Sequence, residues 1–109
     1  MKENRAIRYL SLAAKAGRLI SGADDCEKTL KAGKRGLLIL ASDAGGNTLR
    51  RAQRLAQENR IRLFPCQYNK SELSAAIGRG SAVSMILVTD EGLAGAFVSA
   101  HATEQEERI

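Results

Sequence analysis

The chain has 109 residues, of which 17 are lysine or arginine and 12 are aspartate or glutamate, so its formal net charge is +5. An apolar content of 44% argues against a disordered or fibrous chain, and the length suits one domain over residues 1–109 with a core of aliphatic side chains. The basic balance favours a polyanionic partner, above all nucleic acid, with solubility alone as the competing explanation.

The cysteines and the hydropathy of the chain indicate in which cellular compartment the protein is expected. Cys26 and Cys66 lie far apart, without a CxxC motif or a nearby histidine, so no metal site is expected. The amino-terminal residues lack the apolar segment of a secretory signal, and no apolar run approaches the roughly 20 residues of a membrane span. We therefore expect a cytoplasmic protein with reduced, packed thiols and no membrane association.

The first part of the chain predicts a helix, a very short strand and a second helix. Apolar residues at helical spacing predict the first helix over residues 4–16, and the strand follows at 18–21. Ser21 can cap the second helix, with Asp24 as a short-armed partner in a capping box.

The middle of the chain predicts two further strands around a third helix. The continuous apolar run at 37–41 is typical of a parallel strand that is buried on both faces. The third helix would start at 47–48 and place Leu49 in its buried stripe. The next strand, at 61–66, contains Pro65, which lacks a backbone donor and so belongs near an end or an edge of the sheet.

The last part of the chain predicts helix, strand and helix again. Asn69 and Glu72 have the spacing of a capping box that starts the fourth helix. The most apolar run, at 83–88, predicts a central strand, and Asp90 would cap the last helix. Residues 103–109 are predicted to be a frayed acidic tail.

Alternating helices and strands predict an α/β protein, a three-layer α/β/α sandwich, and the alternation alone favours parallel strands. Three loops rich in glycine and polar residues, 21–22, 42–47 and 78–81, would meet at one end of the sheet, where open α/β sheets bind ligands. Together they predict a binding face, although each glycine or charge alone is explained by turn formation or solvation.

The sequence argues against an enzyme. Its single histidine, His101, lies close to the predicted tail, where a catalytic base would be hard to hold in place. The segment 45–48 lacks the lysine of a P-loop, and no dinucleotide-binding fingerprint is present. We therefore predict no catalytic residues and no cofactor.

Several segments, in this order and spacing, resemble a known family. They are LAAKAGRLISG at 12–22, Lys28, LLILASDAGGNTLRR at 37–51, IGRG at 77–80 and ILVTDEGLA at 86–94. The chain resembles the kink-turn RNA-binding ribosomal proteins, the superfamily of the archaeal ribosomal L seven Ae protein, and within it the short bacterial YlxQ-like branch. The resemblance covers nearly the whole chain, to about residue 100.

The resemblance implies a mixed sheet of about four strands and the binding of kink-turn RNA, a sharply bent helix with tandem sheared G·A pairs. In the family a Gly-x-Asn-Glu-x-x-Lys pattern opens the helix after the first strand, where Asn and Glu contact guanines and Lys lies against the backbone. A monomer that binds structured RNA, with ribosomal RNA or the ribosome as partner, is the expected form. The residues predicted to contact RNA are Arg18, Gly22, Asp24, Asp25, Lys28, Lys31, Arg35, Asp43, Ile77, Gly78, Arg79, Gly80 and Ser81.

Two departures from the family pattern, one at Asp24 and Asp25 and one in the loop after Gly78, keep a second function open. Asp24 stands where the family has Asn, so a group that donates and accepts is replaced by one that only accepts. Asp25 is one methylene shorter than the family's Glu, and the loop after Gly78 is shorter than in many relatives. The alternative is a protein-interaction adaptor of the same fold with weakened or lost RNA specificity.

Overall fold

The computed structural model describes residues 5–107 and contains five helices and four strands within that range. The helices are α1 (Arg5–Lys15), α2 (Ala23–Lys31), α3 (Gly46–Asn59), α4 (Lys70–Ile77) and α5 (Glu91–Glu107). The strands are β1 (Leu19–Ser21), β2 (Leu37–Leu40), β3 (Leu63–Pro65) and β4 (Met85–Val88). The predicted alternation is confirmed, with all four strands shorter than predicted and the third and fourth shortened most.

The sheet is mixed, with strand order β1-β4-β2-β3. β2 pairs in parallel with β3, whereas β4 runs antiparallel to both β1 and β2. The parallel sheet predicted from alternation is therefore wrong for β4. The reason lies in the preceding segment: after the eight residues of α4 the chain returns to the end of the sheet where α4 began, and the Val83 N–H donates to the Lys70 carbonyl at 3.5 Å.

Helices cover both faces of the sheet, which makes the fold the predicted three-layer sandwich. On one face α1 packs against α4 and α5, and on the other α2 packs against α3. Every residue of the two central strands, β2 and β4, is buried, as their continuous apolar sequences predict. Pro65 ends β3, an edge strand, where a missing ladder donor is tolerated.

Helix starts are partly those predicted. The Asn69 side chain accepts from the Glu72 N–H at 2.8 Å and the Glu72 carboxylate accepts from the Asn69 N–H at 2.9 Å, which confirms the capping box. Asp90 accepts from the Leu93 N–H at 2.8 Å, as predicted. Ser21, in contrast, does not cap α2: the N-cap is Gly22, and no side-chain cap hydrogen bond is present there among the described residues.

The carboxyl-terminal helix is anchored rather than frayed up to Glu104. This residue is 4% exposed, and its carboxylate accepts from the Tyr68 hydroxyl at 2.5 Å, the Gln67 side-chain amide at 2.9 Å and the Ala6 N–H at 3.0 Å. His101, also buried, accepts from the Gln67 N–H at 3.0 Å. The predicted tail is thus part of α5 as far as Glu107, and residues 108–109 lie outside the described residues.

The prediction that Leu49 belongs to the buried stripe of the third helix is wrong. Leu49 is 37% exposed, whereas Ala52, Leu55 and Ala56 are buried. Leu49 lies in the first turn of α3, and the buried part of the predicted stripe begins only at Ala52. None of the helices in the described range is long and apolar enough to cross a membrane.

Both cysteines are expected to resist modification in the folded protein. Burial raises the pKa of Cys26 to about 12 and that of Cys66 to about 11, so the reactive thiolate is scarce at pH 8. We expect Ellman's reagent to react with the folded chain roughly a hundredfold more slowly than with the chain unfolded in about 8 M urea. Fast reaction of either thiol before unfolding would contradict the packing described.

Candidate functional site

The predicted loops do meet at one end of the sheet, called here the loop end. β1, β2 and β3 finish there and β4 begins there. The loop end consists of the 21–22 turn, the 41–45 loop and the 78–84 loop, and the first turns of α2 and α3 open onto it. Arg79 joins two of these segments, because its guanidinium donates to the Ser21 hydroxyl at 3.0 Å.

Both helices that start at the loop end have amino termini without a side-chain cap. Gly22 precedes α2 and Gly45 precedes α3, and within residues 5–107 neither helix start has a side-chain cap hydrogen bond. Gly22 has a φ of 96°, a region that glycine adopts without strain, and a Cβ there would meet no other atom within 4 Å. At both helix starts, N–H groups that lack a side-chain cap coincide with the positive end of a helix dipole, which is the arrangement that attracts anions.

An ion-pair cluster joins α2 to α3 beside these helix starts. The Arg51 guanidinium donates to Asp24 Oδ1 at 2.8 Å and to Glu27 Oε1 at 2.8 and 3.0 Å. The Lys31 ammonium lies 3.3 Å from Glu27, and Arg54 lies 3.4 Å from it. Hydrogen bonds from Arg51 and Lys31 lower the pKa of Glu27, and those to Asp24 and Glu27 raise the pKa of Arg51.

Neither Glu27 nor Arg51 is among the residues that the sequence predicted to contact RNA. The structure makes Glu27, 15% exposed on its side chain, the centre of the cluster. The signal was in the charge pattern: Asp24 and Glu27 lie three residues apart on α2, and α3 carries Arg51 and Arg54 at the same spacing. When two helices pack against each other, opposite charges at the same spacing on each helix indicate a row of ion pairs between them.

Asp25 and Lys28 are the exposed charges of the site whose side chains have no ion pair or side-chain hydrogen bond within residues 5–107. Asp25 lies in the first turn of α2 and Lys28 one turn further on. Both side chains can therefore reach a ligand without first breaking a contact within the protein.

The remaining predicted residues of the loop end are held by local structure. Asp43 accepts from the Lys70 N–H at 2.9 Å, so its carboxylate ties the 41–45 loop to the start of α4. Gly78 ends α4 with a φ of 75°, and the half-buried Ile77 precedes it. The exposed residues Gly80 and Ser81 complete the loop toward β4.

Arg18 and Arg35 do not belong to this site. Each precedes a strand that begins at the opposite end of the sheet, called here the far end: Arg18 precedes β1 and Arg35 lies two residues before β2. The Arg18 carbonyl accepts from the Thr89 N–H at 2.9 Å, just beyond the carboxyl end of β4. The prediction grouped them with the loop end because it took no account of the direction of the strands.

The matches to known proteins agree with this architecture. The model of the Ribosomal protein L7Ae/L30e/S12e/Gadd45 family matches residues 5–98. The chain belongs to this family. It is 29% identical over 93 residues to the RNA-binding protein YlxQ of Bacillus subtilis (strain 168), covering 83% of this chain and 88% of that protein. The resemblance to the YlxQ-like branch is thereby confirmed, and the family supports the prediction that the protein is not an enzyme.

Solved structures repeat the same fold. A Bacillus halodurans protein of unknown function, 28% identical, superimposes with a TM-score of 0.82 over 92% of this chain and 99% of its own. A 15.5kD RNA binding protein of Giardia lamblia, 15% identical, superimposes with a TM-score of 0.70 over 92% of this chain and 84% of its own. The second of these shares the fold at an identity too low to compare sites.

Proposed function

We propose that the protein binds structured RNA through the loop end and selects a kink-turn. The observation that carries this proposal is the pair of uncapped helix starts at Gly22 and Gly45, with the exposed Lys28 beside them. The similarity to an RNA-binding protein, YlxQ, supports the same partner class. Membership in a ribosomal protein family supports the further proposal that the bound RNA is ribosomal and the protein cytoplasmic.

Each side chain of the loop end has a chemical role in this proposal. The N–H groups at the starts of α2 and α3 bind phosphate oxygens, and Lys28 adds a charged phosphate contact. The Asp25 carboxylate accepts from guanine N–H groups at the G·A pairs. Ile77 and the 78–81 segment lie against the bent strand, while Asp43 holds the neighbouring loop in place.

The Asp24–Arg51 ion pair can compensate for the presence of Asp24 where the family has Asn. Asp24 is 87% exposed on its side chain, so it faces a ligand even while it is bound to Arg51. The guanidinium places N–H donors 2.8 Å from the carboxylate acceptor, and it offsets the negative charge next to phosphate. We infer that the pair offers RNA both a donor and an acceptor, which Asn offers with one side chain.

The test of the proposed function is a filter-binding titration of the protein against a kink-turn RNA and a straight duplex of equal length, each at two salt concentrations. We expect tighter binding to the kink-turn at both. Equal affinity for the two RNAs would contradict kink-turn selection and would favour the adaptor function, especially if nuclease-treated extracts still yield a protein partner.

Lys28→Ala is expected to weaken binding to both RNAs, because Lys28 contacts phosphate rather than a base. The slope of log affinity against log salt should fall by about 1, which corresponds to one released counterion. Lys15→Ala, which removes an exposed lysine of α1, is the matched control and should leave the slope unchanged. An unchanged slope for Lys28→Ala would place this side chain outside the interface.

Asp25→Ala provides the complementary result in the same assay. Here we expect a reduced preference for G·A pairs over altered pairs, by roughly tenfold, with an unchanged salt slope, because base contacts specify and phosphate contacts position. A uniform loss of affinity for all RNAs would contradict the base-reading role.

A further inference from the structure

A cavity of about 580 Å³ lies at the far end of the sheet, on the side away from the loop end. It opens between α5 and the starts of β2 and β3. Its wall is largely apolar and includes Leu37, Ile61, Val88, Ala94 and Val98. Its volume lies within the range of roughly 300–1,000 Å³ that is typical of small-ligand sites.

Three arginines surround this cavity: Arg35, Arg60 and Arg62. Within residues 5–107 none of them is ion-paired, whereas Arg51 and Arg54 on α3 are bound to carboxylates. The Arg35 guanidinium donates to the Arg60 carbonyl at 3.3 Å, a neutral partner that leaves the charge uncompensated. Three uncompensated guanidinium groups around an apolar cavity favour a ligand that combines an apolar body with negative charge.

The backbone at Arg60 adds an independent observation. Arg60 follows α3 with a φ of 54° and a ψ of 45°, the left-handed conformation in which glycine is the usual residue. An arginine side chain therefore does not favour the local fold at this position. Arg60 does line the cavity, where it adds a positive charge.

Arg62 contributes a flat surface as well as a charge. Its guanidinium lies over the Phe64 ring, 5.2 Å from the ring centroid, so the ring partly fixes its position. Unpaired bases of RNA stack on guanidinium planes and aromatic rings, and their flanking phosphates bind arginine. An acidic peptide would pair with the charges but would leave the apolar wall of the cavity without a partner.

We propose that the far-end cavity binds an unpaired nucleotide of an RNA strand, with the base in the apolar cavity and the flanking phosphates on Arg35, Arg60 and Arg62. This is a second RNA contact, separate from the loop end and independent of kink-turn selection. Glu91, the one acidic residue of the described lining, lies at the start of α5 and forms no ion pair with the three arginines within residues 5–107.

The experiment uses fluorescein-labelled hexauridylate, an unstructured single strand, with anisotropy for affinity and amide chemical shifts for location. Arg60→Gly should weaken binding roughly fivefold by removing one phosphate contact, and it should keep or raise the thermal stability. Arg54→Ala, which removes an ion-paired arginine of α3, is the control and should bind like the unmodified chain.

A second variant tests the cavity without changing charge. Gly95 lines the cavity, and a Cβ there would meet no other atom within 4 Å, so Gly95→Leu adds a side chain to open space on a helix that leucine favours. In the unmodified chain, hexauridylate should change the amide chemical shifts of Gly36, Ile61 and the residues next to Gly95. We expect Gly95→Leu to abolish these changes and to leave the affinity for kink-turn RNA the same.

Several results would overturn the proposal. Unchanged hexauridylate affinity in Gly95→Leu would show that the cavity is not the site, and shifts confined to Gly22 and Gly46 would place the strand at the loop end. Displacement of the probe at lower concentrations of hexaglutamate than of unlabelled hexauridylate would indicate an acidic protein segment instead. Uridine monophosphate that binds as tightly as the strand would indicate a free nucleotide. Failure of kink-turn selection alone would leave these far-end results unaffected.

Discussion

Replacing Glu104 by alanine is expected to lower the free energy of unfolding by about 3–5 kcal/mol. The buried carboxylate accepts from Tyr68, Gln67 and Ala6, which lie in the segment before α4 and in the first turn of α1. Alanine would leave a buried hydroxyl and an N–H of a helix start without an acceptor, and each such group costs about 1–3 kcal/mol. Urea denaturation followed by circular dichroism measures the effect.

Two comparisons separate this network from helix propensity. Glu106→Ala removes an exposed glutamate of the same helix and should change the stability by less than about 0.5 kcal/mol. Glu104→Gln keeps one acceptor oxygen and should fall between the two. Equal stabilities for the Glu104→Ala and Glu106→Ala variants would show that the anchoring of α5 does not depend on this carboxylate.

Because of the hydrogen bonds around Glu104, we expect the free energy of unfolding to depend on pH in the alkaline range. Burial, and then the hydrogen bond to Glu104, raises the pKa of Tyr68 above the usual value of about 10. A raised pKa of this kind means that the folded state favours the protonated hydroxyl, so its contribution is present below about pH 10 and is lost as the pH rises above it. The Glu104→Gln variant should lose less stability over this range.

Parts of the fold were predictable because their causes are local. The buried strands β2 and β4 follow from continuous apolar runs, and the starts of α4 and α5 follow from side chains that cap their own helix, Asn69 and Asp90. Strand direction has no such local cause. The antiparallel β4 depends on where the 78–84 loop returns, which no periodicity in the sequence encodes.

In the candidate site, too, the features with a local cause were predictable and those set by distant contacts were not. Gly22, Asp25 and Lys28 come from one short segment, and their shared position at the start of α2 follows from helical spacing alone. Arg35 was misplaced because its location depends on the direction of β2. Glu104 was predicted to be frayed because an acidic tail usually is, and its acceptor role depends on a contact with Tyr68 that is 36 residues away in sequence.

Arg51→Ala is expected to weaken kink-turn binding roughly tenfold, because Asp24 would then face the RNA as an uncompensated carboxylate that can only accept. In the present structure Arg51 holds that carboxylate at 2.8 Å, and Arg51 in turn is fixed by Glu27. The affinity should recover when Asp24→Asn is added to Arg51→Ala, because the amide supplies donor and acceptor without a charge. Filter binding of the two single variants and the double variant measures the coupling.

The cycle distinguishes this role from a general attraction of Arg51 to RNA. If Arg51 acted only as a positive charge near phosphate, Asp24→Asn would raise the affinity by the same factor with Arg51 present or absent. In the mechanism inferred here, Asp24→Asn has a small effect when Arg51 is present and a large favourable effect when it is absent. Equal effects in the two backgrounds would therefore contradict the shared donor and acceptor role. Arg50→Ala, a neighbouring exposed arginine bonded to Asn47, is the matched control and should show no coupling to Asp24.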